Sequence, residues 1–352
     1  MKIRYNGDKY VSTKIDTPTG QNTTCEMRYM MMTEEKTATL TPDETTDANP
    51  APDTDIGPNG YRRRKRRFGD RNDGRRLRTT SAMLKFMPYI MKDRCDALNT
   101  FADTLDMTKT DKFCRQKVRQ GKTNFTLLHV LLAAYVRAIS QKPGINRFIA
   151  GQHIYARNDI EINMVVKRAM TLESPDTVVT VHFLPTDTVD EVYEKFNAAV
   201  TENVRESDDN SFDKLNRVLV YIPGILLRIV VRLLFWADYH GWLPRKLTRL
   251  SPFHGTMFIT SMGSLGIPPI YHHIYNFGNL PTFLAYGTKR SEVYLDGDGN
   301  VQKRKVVDLK AVTDERICDG FYYAAAFKII KRMVENPELM EVPPEKVVED
   351  ID

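Results

Sequence analysis

The stretch from Asn124 to Ile139 limits the fold more than any other, because it is apolar on most of its sides. A helix with one apolar stripe can lie on a surface, but one that is apolar nearly all round needs cover from several directions. The stretch therefore predicts a helix buried between a sheet and a neighbouring element, ended by Gln141-Lys142-Pro143-Gly144. Alternation over Ala97–Thr108 predicts a strand, and Lys109–Gln120 a helix. Ile145–Phe148, Gln152–Tyr155, Ile160–Val166 and Thr177–Phe183 read as further strands. Asp187–Phe196 opens a helix with an Asp/Thr cap and an acidic first turn. Near the end, Asp296-Gly297-Asp298-Gly299-Asn300 has hairpin-turn chemistry and lacks the downstream glutamate of a calcium loop.

Globular composition begins near Ser81 and is expected to form one domain over 81–340, followed by an acidic tail at 341–352. Residues 1–60 are rich in Thr, Asp, Pro and Asn with few large apolar side chains, and such a segment cannot offset the entropy of ordering its backbone. Disorder is expected there, with Met27 and Met30 to Met32 as alternative starts, and a basic linker over 61–80. The net charge of +6 is local: residues 62–78 hold ten Lys/Arg and two Asp, so that window is +8 and the rest of the chain −2. Such a block can attract an anionic membrane surface, at roughly 1 kcal/mol per basic residue, or nucleic acid, or be a solvated boundary. Because the basicity is confined to it, nucleic acid is not the expected partner. Met1 is followed by a polar segment, so no signal peptide is expected. The four cysteines are widely spaced without a CxxC pair, which offers neither a zinc site nor a disulfide framework and suits a reducing, cytoplasmic setting.

Residues 217–250 read as an apolar helical insertion. Val218–Trp236 is long enough to raise the question of a membrane span. Arg228 and Arg232 argue against one, at about 2.5–3.5 kcal/mol each near a bilayer centre. Their i, i+4 spacing, with Trp236, Tyr239 and Trp242 beyond, suits a helix in the membrane interface or a lid over an apolar channel. A core or subunit-interface helix whose arginines reach solvent is the plainer alternative. Membrane-surface contact, if made, would run through 62–78 and 218–242.

The chemistry-bearing stretch is Thr313-Asp314-Glu315-Arg316-Ile317-Cys318-Asp319-Gly320, followed by the helical run Phe321–Ile330. It resembles the His-x-x-x-Asp-Gly signature of CoA-dependent acyltransferases of the chloramphenicol acetyltransferase fold, in the Asp-His-Arg-x-x-Asp-Gly form of the acyltransferase component of 2-oxoacid dehydrogenase complexes. Glu315 stands where that family has its general-base histidine. Met257–Gly266 resembles the family's Thr-Ile-Ser-Asn-x-Gly-x-x-Gly strand and turn, and Asn279–Gly287 the apolar strand after it. With the strand and helix order of the N-terminal half, the resemblance spans about Ser81 to Met340. It implies an α/β, chloramphenicol acetyltransferase-like two-layer fold, a mixed sheet with flanking helices, and a homotrimer with active sites between subunits. It also implies acyl-CoA as co-substrate, Glu315 at the base position, and Thr260, with Ser261 next, as donor to the oxyanion. Asp319 would be a structural anchor paired with an arginine from the N-terminal part, Arg78 or else Arg75 or Arg76.

A solvated glutamate has a pKa near 4.3 and is a weak base, but burial can raise it by several units. Glu315 could instead pair with Arg316, or the base could be rerouted to His254, His272 or His273, which lie around the Thr260 block. The chain shows no Asp-Lys-Ala lipoyl-attachment motif, no obvious subunit-binding domain, no Gly-rich phosphate loop and no metal-ligand cluster. A stand-alone transferase is therefore expected, with no lipoyl group and no metal, moving an acyl group from acyl-CoA to a hydroxyl, amine or thiol. The apolar 218–236 segment favours a lipid-like acyl group or acceptor. The competing expectation is a non-catalytic relative that binds acyl-CoA or serves as an oligomeric scaffold.

Overall fold

The computed structural model describes residues 54–56, 62–64, 66–167, 176–205 and 223–352. Most of the segment expected to be disordered lies outside them, as do Val218 to Ile222. Two short strands, β1 (Thr54–Ile56) and β2 (Arg62–Arg64), pair antiparallel, so part of the expected disordered and linker segments is extended and paired.

After β3 (Gly74–Arg76) come α1 (Ala82–Ile90), β4 (Leu98–Asp106), α2 (Thr108–Arg119) and α3 (Leu127–Gln141). The strands β5 (Arg147–Ala150), β6 (His153–Arg157), β7 (Ile160–Lys167) and β8 (Asp176–Phe183) follow, then α4 (Val189–Arg205). The C-terminal part runs α5 (Gly224–Tyr239), α6 (Arg245–Leu250), β9 (Met257–Ser261), β10 (Thr282–Leu295), β11 (Val301–Asp314) and α7 (Gly320–Glu335). A six-stranded sheet has the order β4-β11-β10-β9-β7-β8. It is mixed, as expected: β9 runs parallel to both β7 and β10, and the other neighbours are antiparallel. The long hairpin β10–β11 turns at Asp296–Asn300, where Gly299 takes a positive φ of 82° that favours glycine.

The predicted buried helix is α3, with every residue from Leu127 to Ser140 buried. Thr126 and His129 close its start as a capping box. It packs with α2, α4 and α7 against the sheet face that carries Ile259, Leu284 and Ala311. The opposite face carries a smaller apolar cluster built on Phe258, Phe283 and Val312. That division follows from the period of two along each strand.

Residues 66–80 of the expected basic linker instead pack into the fold. β3 joins β6 and β5 in a three-stranded sheet, and Arg71 is buried with its guanidinium on Asp73 (3.0 Å) and Asp238 (2.9 Å). The acidic tail packs back onto the same region: Asp350 receives Arg147, and Asp352 receives Arg67 and Arg75. Carboxylates distant in sequence thus neutralise a block that looks unopposed when read locally.

Candidate active site

β11 delivers Asp314 to the sheet end, where its amide donates to Pro281 O (2.9 Å) and its side chain is wholly buried. Two guanidiniums flank that carboxylate. Arg316 donates from Nη2 (2.7 Å) and Nε (2.8 Å), and Arg94 approaches from the other side at 3.4 Å. The remaining donors of Arg94 reach Tyr275 O (2.7 Å) and Gly278 O (2.8 Å), while Arg316 Nη1 reaches Met91 O and Lys92 O (3.1 Å each). Burial lowers the pKa of Arg94 and the neighbouring Arg316 adds to this, with Asp314 acting in the opposite sense. Tyr323 of α7 donates its hydroxyl to Asp314 O (3.1 Å). Three chain segments are thereby tied to the loop that follows β11.

Glu315 sits on this frame. Its amide donates to Ala97 O (2.8 Å), and it is half-buried. Among the described residues its carboxylate has no hydrogen bond or ion pair, and Arg316 is taken up by Asp314. The alternative in which Arg316 pairs with Glu315 is therefore corrected: the bidentate fork of Arg316 meets the fully desolvated carboxylate, where it gains more. Cys318, next in the loop, has its thiol pushed far up by burial and so presents no thiolate.

Asp319 is not an anchor to Arg78. It is exposed and caps α7, its Oδ1 accepting from Tyr322 N (2.8 Å), as an aspartate before a helical run does. Arg78 reaches Asp70 (3.3 Å) and Phe68 O (2.8 Å). Arg75 is held by Asp352, and Arg76 lies beside His153 (3.4 Å). The arginines that do touch the motif loop are Arg94 and Arg147, the latter donating to Ile317 O (3.2 Å). Neither was singled out from the sequence, since no spacing relates an arginine to a carboxylate some two hundred residues away.

Thr260 and Ser261 lie at the end of β9 and point to opposite faces. Thr260 shares the face of Phe258 and is half-buried with no hydrogen bond to its hydroxyl among the described residues. Ser261 points to the helix side and bonds to Tyr286, whose phenol is raised by burial with that bond opposing. Thr260 is therefore the freer donor. Register separates it from the motif loop: Thr260 is level with Ala285, whereas Asp314 is level with Pro281, and β10 lies between the two strands. Strand geometry makes that separation roughly 16 Å, with Glu315 one residue farther. Within one chain the two do not converge on one reacting atom.

The three candidate histidines are dispersed. His254 is buried, with Nδ1 at Ser251 Oγ (2.9 Å) and Nε2 at 3.5 Å from Asp238, inside the Arg71 network. That burial corrects its candidacy as an alternative base. His273 packs edge-on to Tyr275. His272 stacks on Phe283 at 4.3 Å, on the sheet face of Thr260, and burial together with His273 lowers its pKa. Among the described residues no group of three or more His, Cys, Asp and Glu gathers as a metal site would.

Residues 245–342 match the family described as 2-oxoacid dehydrogenases acyltransferase (catalytic domain), the family that the motif at 314–320 resembles. The matched residues run from α6 through β9, β10, β11 and α7, and so include Thr260 and the motif at 314–320. No curated protein matches the sequence. Among solved structures, a dihydrolipoamide acetyltransferase of Azotobacter vinelandii aligns at 16% identity and TM-score 0.48 over 75% of this chain and 93% of that one. A probable dihydrolipoamide acetyltransferase of Listeria monocytogenes aligns at 16% and 0.45 over 75% and 95%. A chloramphenicol acetyltransferase aligns at 11% and 0.45 over 74% and 99%.

Proposed function

We propose that this protein transfers an acyl group from acyl-CoA to a hydroxyl, amine or thiol, with Glu315 as the general base and Thr260 as donor to the oxyanion. The observation that carries the reading is the Glu315 carboxylate: half-buried, fixed through its backbone, and among the described residues without a cation although an arginine adjoins it. Glu315 takes the proton of the acceptor as the acceptor's heteroatom bonds to the thioester carbonyl carbon. The Thr260 hydroxyl donates to the resulting oxyanion. The tetrahedral species then expels the CoA sulfur, which takes the proton back from Glu315. Asp314, Arg94 and Arg316 position the base. The separation of Thr260 from Glu315 supports a homo-oligomer, a trimer by family resemblance, in which one copy's Glu315 meets another's Thr260.

Two features support the second reading, an acyl-CoA-binding or scaffold protein without turnover: a weaker base than histidine at position 315, and an Asp319 engaged as a helix cap. Thiol release from acyl-CoAs of increasing chain length, by wild type, Glu315→Gln and Glu315→His, separates the two. For a working base, Glu315→Gln loses about 100- to 10,000-fold in rate. Silence of wild type and Glu315→Gln with a gain in Glu315→His would instead establish a fold that has lost its base. Glu315→Gln retaining full activity while His272→Asn abolishes it would move the base to the imidazole on the Thr260 face.

A further inference from the structure

Helix α5 leaves most of its apolar residues outside the core. Ile225, Ile229, Leu233 and Trp236 recur at helical spacing on one side, and Ile225 is 78% and Leu233 57% exposed. Arg228 and Arg232 flank that stripe and are exposed. The opposite side, where Leu227, Val230 and Leu234 are half-buried, faces the body of the protein. At 1.5 Å per residue the helix is about 24 Å long, and among the described residues no helix is long and apolar enough to cross a membrane.

Its C-terminal end is clamped. Asp238 is held by Arg71, the Tyr239 hydroxyl donates to Gln152 (2.9 Å), and Asn72 donates to Leu243 O (3.1 Å). Gly151, in the turn between β5 and β6, lets the end of α5 approach so closely that a Cβ there would lie 2.6 Å from Tyr239 O. The exposed stripe is thus a fixed surface. Both tryptophans of the chain adjoin it: Trp236 on the stripe and Trp242 just beyond the helix are about half or more exposed, and their rings meet edge to face at 4.8 Å. Ring systems of this kind concentrate at the headgroup level of bilayers.

Charge selects the occupant. Between Pro223 and Leu250 the single acidic residue is Asp238, which is buried and paired, whereas Arg228, Arg232, Lys246 and Arg249 are exposed. A second copy placed face to face on this helix would bring like charges together; an anionic lipid surface would meet basic groups around an apolar stripe. We infer that the exposed face of α5, with Trp242 and α6 at its end, is a docking surface for an anionic bilayer, with α5 lying in the plane of the interface. The inference does not depend on turnover at Glu315. It also relocates the membrane contact, because Arg71, Arg75 and Arg78 of the basic segment are engaged with carboxylates of the same chain.

The test uses the full chain with vesicles of phosphatidylcholine alone or mixed with phosphatidylserine, read by co-sedimentation and tryptophan emission. Expected are binding and a blue shift with the anionic vesicles, and quenching when the acyl chains are brominated. Arg228→Gln and Arg232→Gln should each weaken binding about fivefold. Ile225→Glu with Leu233→Glu should abolish quenching while leaving the thermal midpoint unchanged, since both side chains are exposed. Absence of binding would overturn the inference. So would sedimentation with unquenched tryptophans, which would place the contact elsewhere, or a lipid-free blue shift that grows with protein concentration, which would make a second copy the occupant.

Discussion

Replacing Asp314 by Asn removes the one carboxylate between two buried guanidiniums while keeping the side chain's shape. Arg94 and Arg316 are 4% and 2% exposed, so neither can turn to water without opening the loop. Breaking a buried pair by removing one partner costs about 3–5 kcal/mol, because an uncompensated charge remains in the interior. Here two cations are left facing each other, which places the expected cost at the upper part of that range. Backbone carbonyls of Tyr275, Gly278, Met91 and Lys92 continue to accept from both arginines, which keeps the loss from exceeding it. At about 2 °C per kcal/mol for a domain of this size, the thermal midpoint should fall roughly 8–10 °C, and urea unfolding should shift in parallel. Glu315→Gln, one residue on, should stay within about 0.5 kcal/mol of wild type because its carboxylate has no partner among the described residues. The double variant Asp314→Asn with Arg316→Met should lose less than the sum of the single losses, since the second change removes one stranded charge. If Asp314→Asn moves the midpoint by less than 2 °C, or if Glu315→Gln moves it as far, the account of this loop as a charge-built frame is wrong.

Acid should expose the Arg71 network. Burial alone would raise the carboxyl pKa values of Asp73 and Asp238, but Arg71 acting with Arg157 on Asp73, and with His254 on Asp238, outweighs it and holds both below the ordinary value. Their contribution is therefore complete above the unfolded aspartate value of about 3.9 and is lost as pH falls through the lower folded values. Thermal midpoints from pH 7 to 3 should show a steep acid limb that Asp238→Asn makes shallower, and an unchanged limb would contradict the assignment. Asp319→Ala should cost about 1 kcal/mol as a lost helix cap, with Asp319→Ser close to wild type; a loss of 3 kcal/mol or more shared by both in chemical denaturation would restore an ion-pair anchor.

The sequence by itself determined the elements whose signals are local. The apolar run at 124–139 reads as a buried helix and is one from Leu127, β4 and α2 fall within a few residues of where alternation and periodicity place them, and Asp296–Asn300 turns the hairpin as its Asp-Gly chemistry requires. The motif at 314–320 likewise marked the acyltransferase family that residues 245–342 match. Roles set by distant partners were not legible. Residues 66–78 look like a solvated basic block until Asp238 pairs with Arg71 and Asp352, from the far end of the chain, with Arg67 and Arg75. The motif read by itself puts the anchor at Asp319, and only the approach of Arg94 from a separate segment marks Asp314 as the buried, paired carboxylate and leaves Asp319 as a cap. Strand register, again tertiary, separates Thr260 from Glu315 within one chain. Periodicity is carried by consecutive side chains on one element, whereas charge pairing and register depend on which elements the folded chain brings side by side.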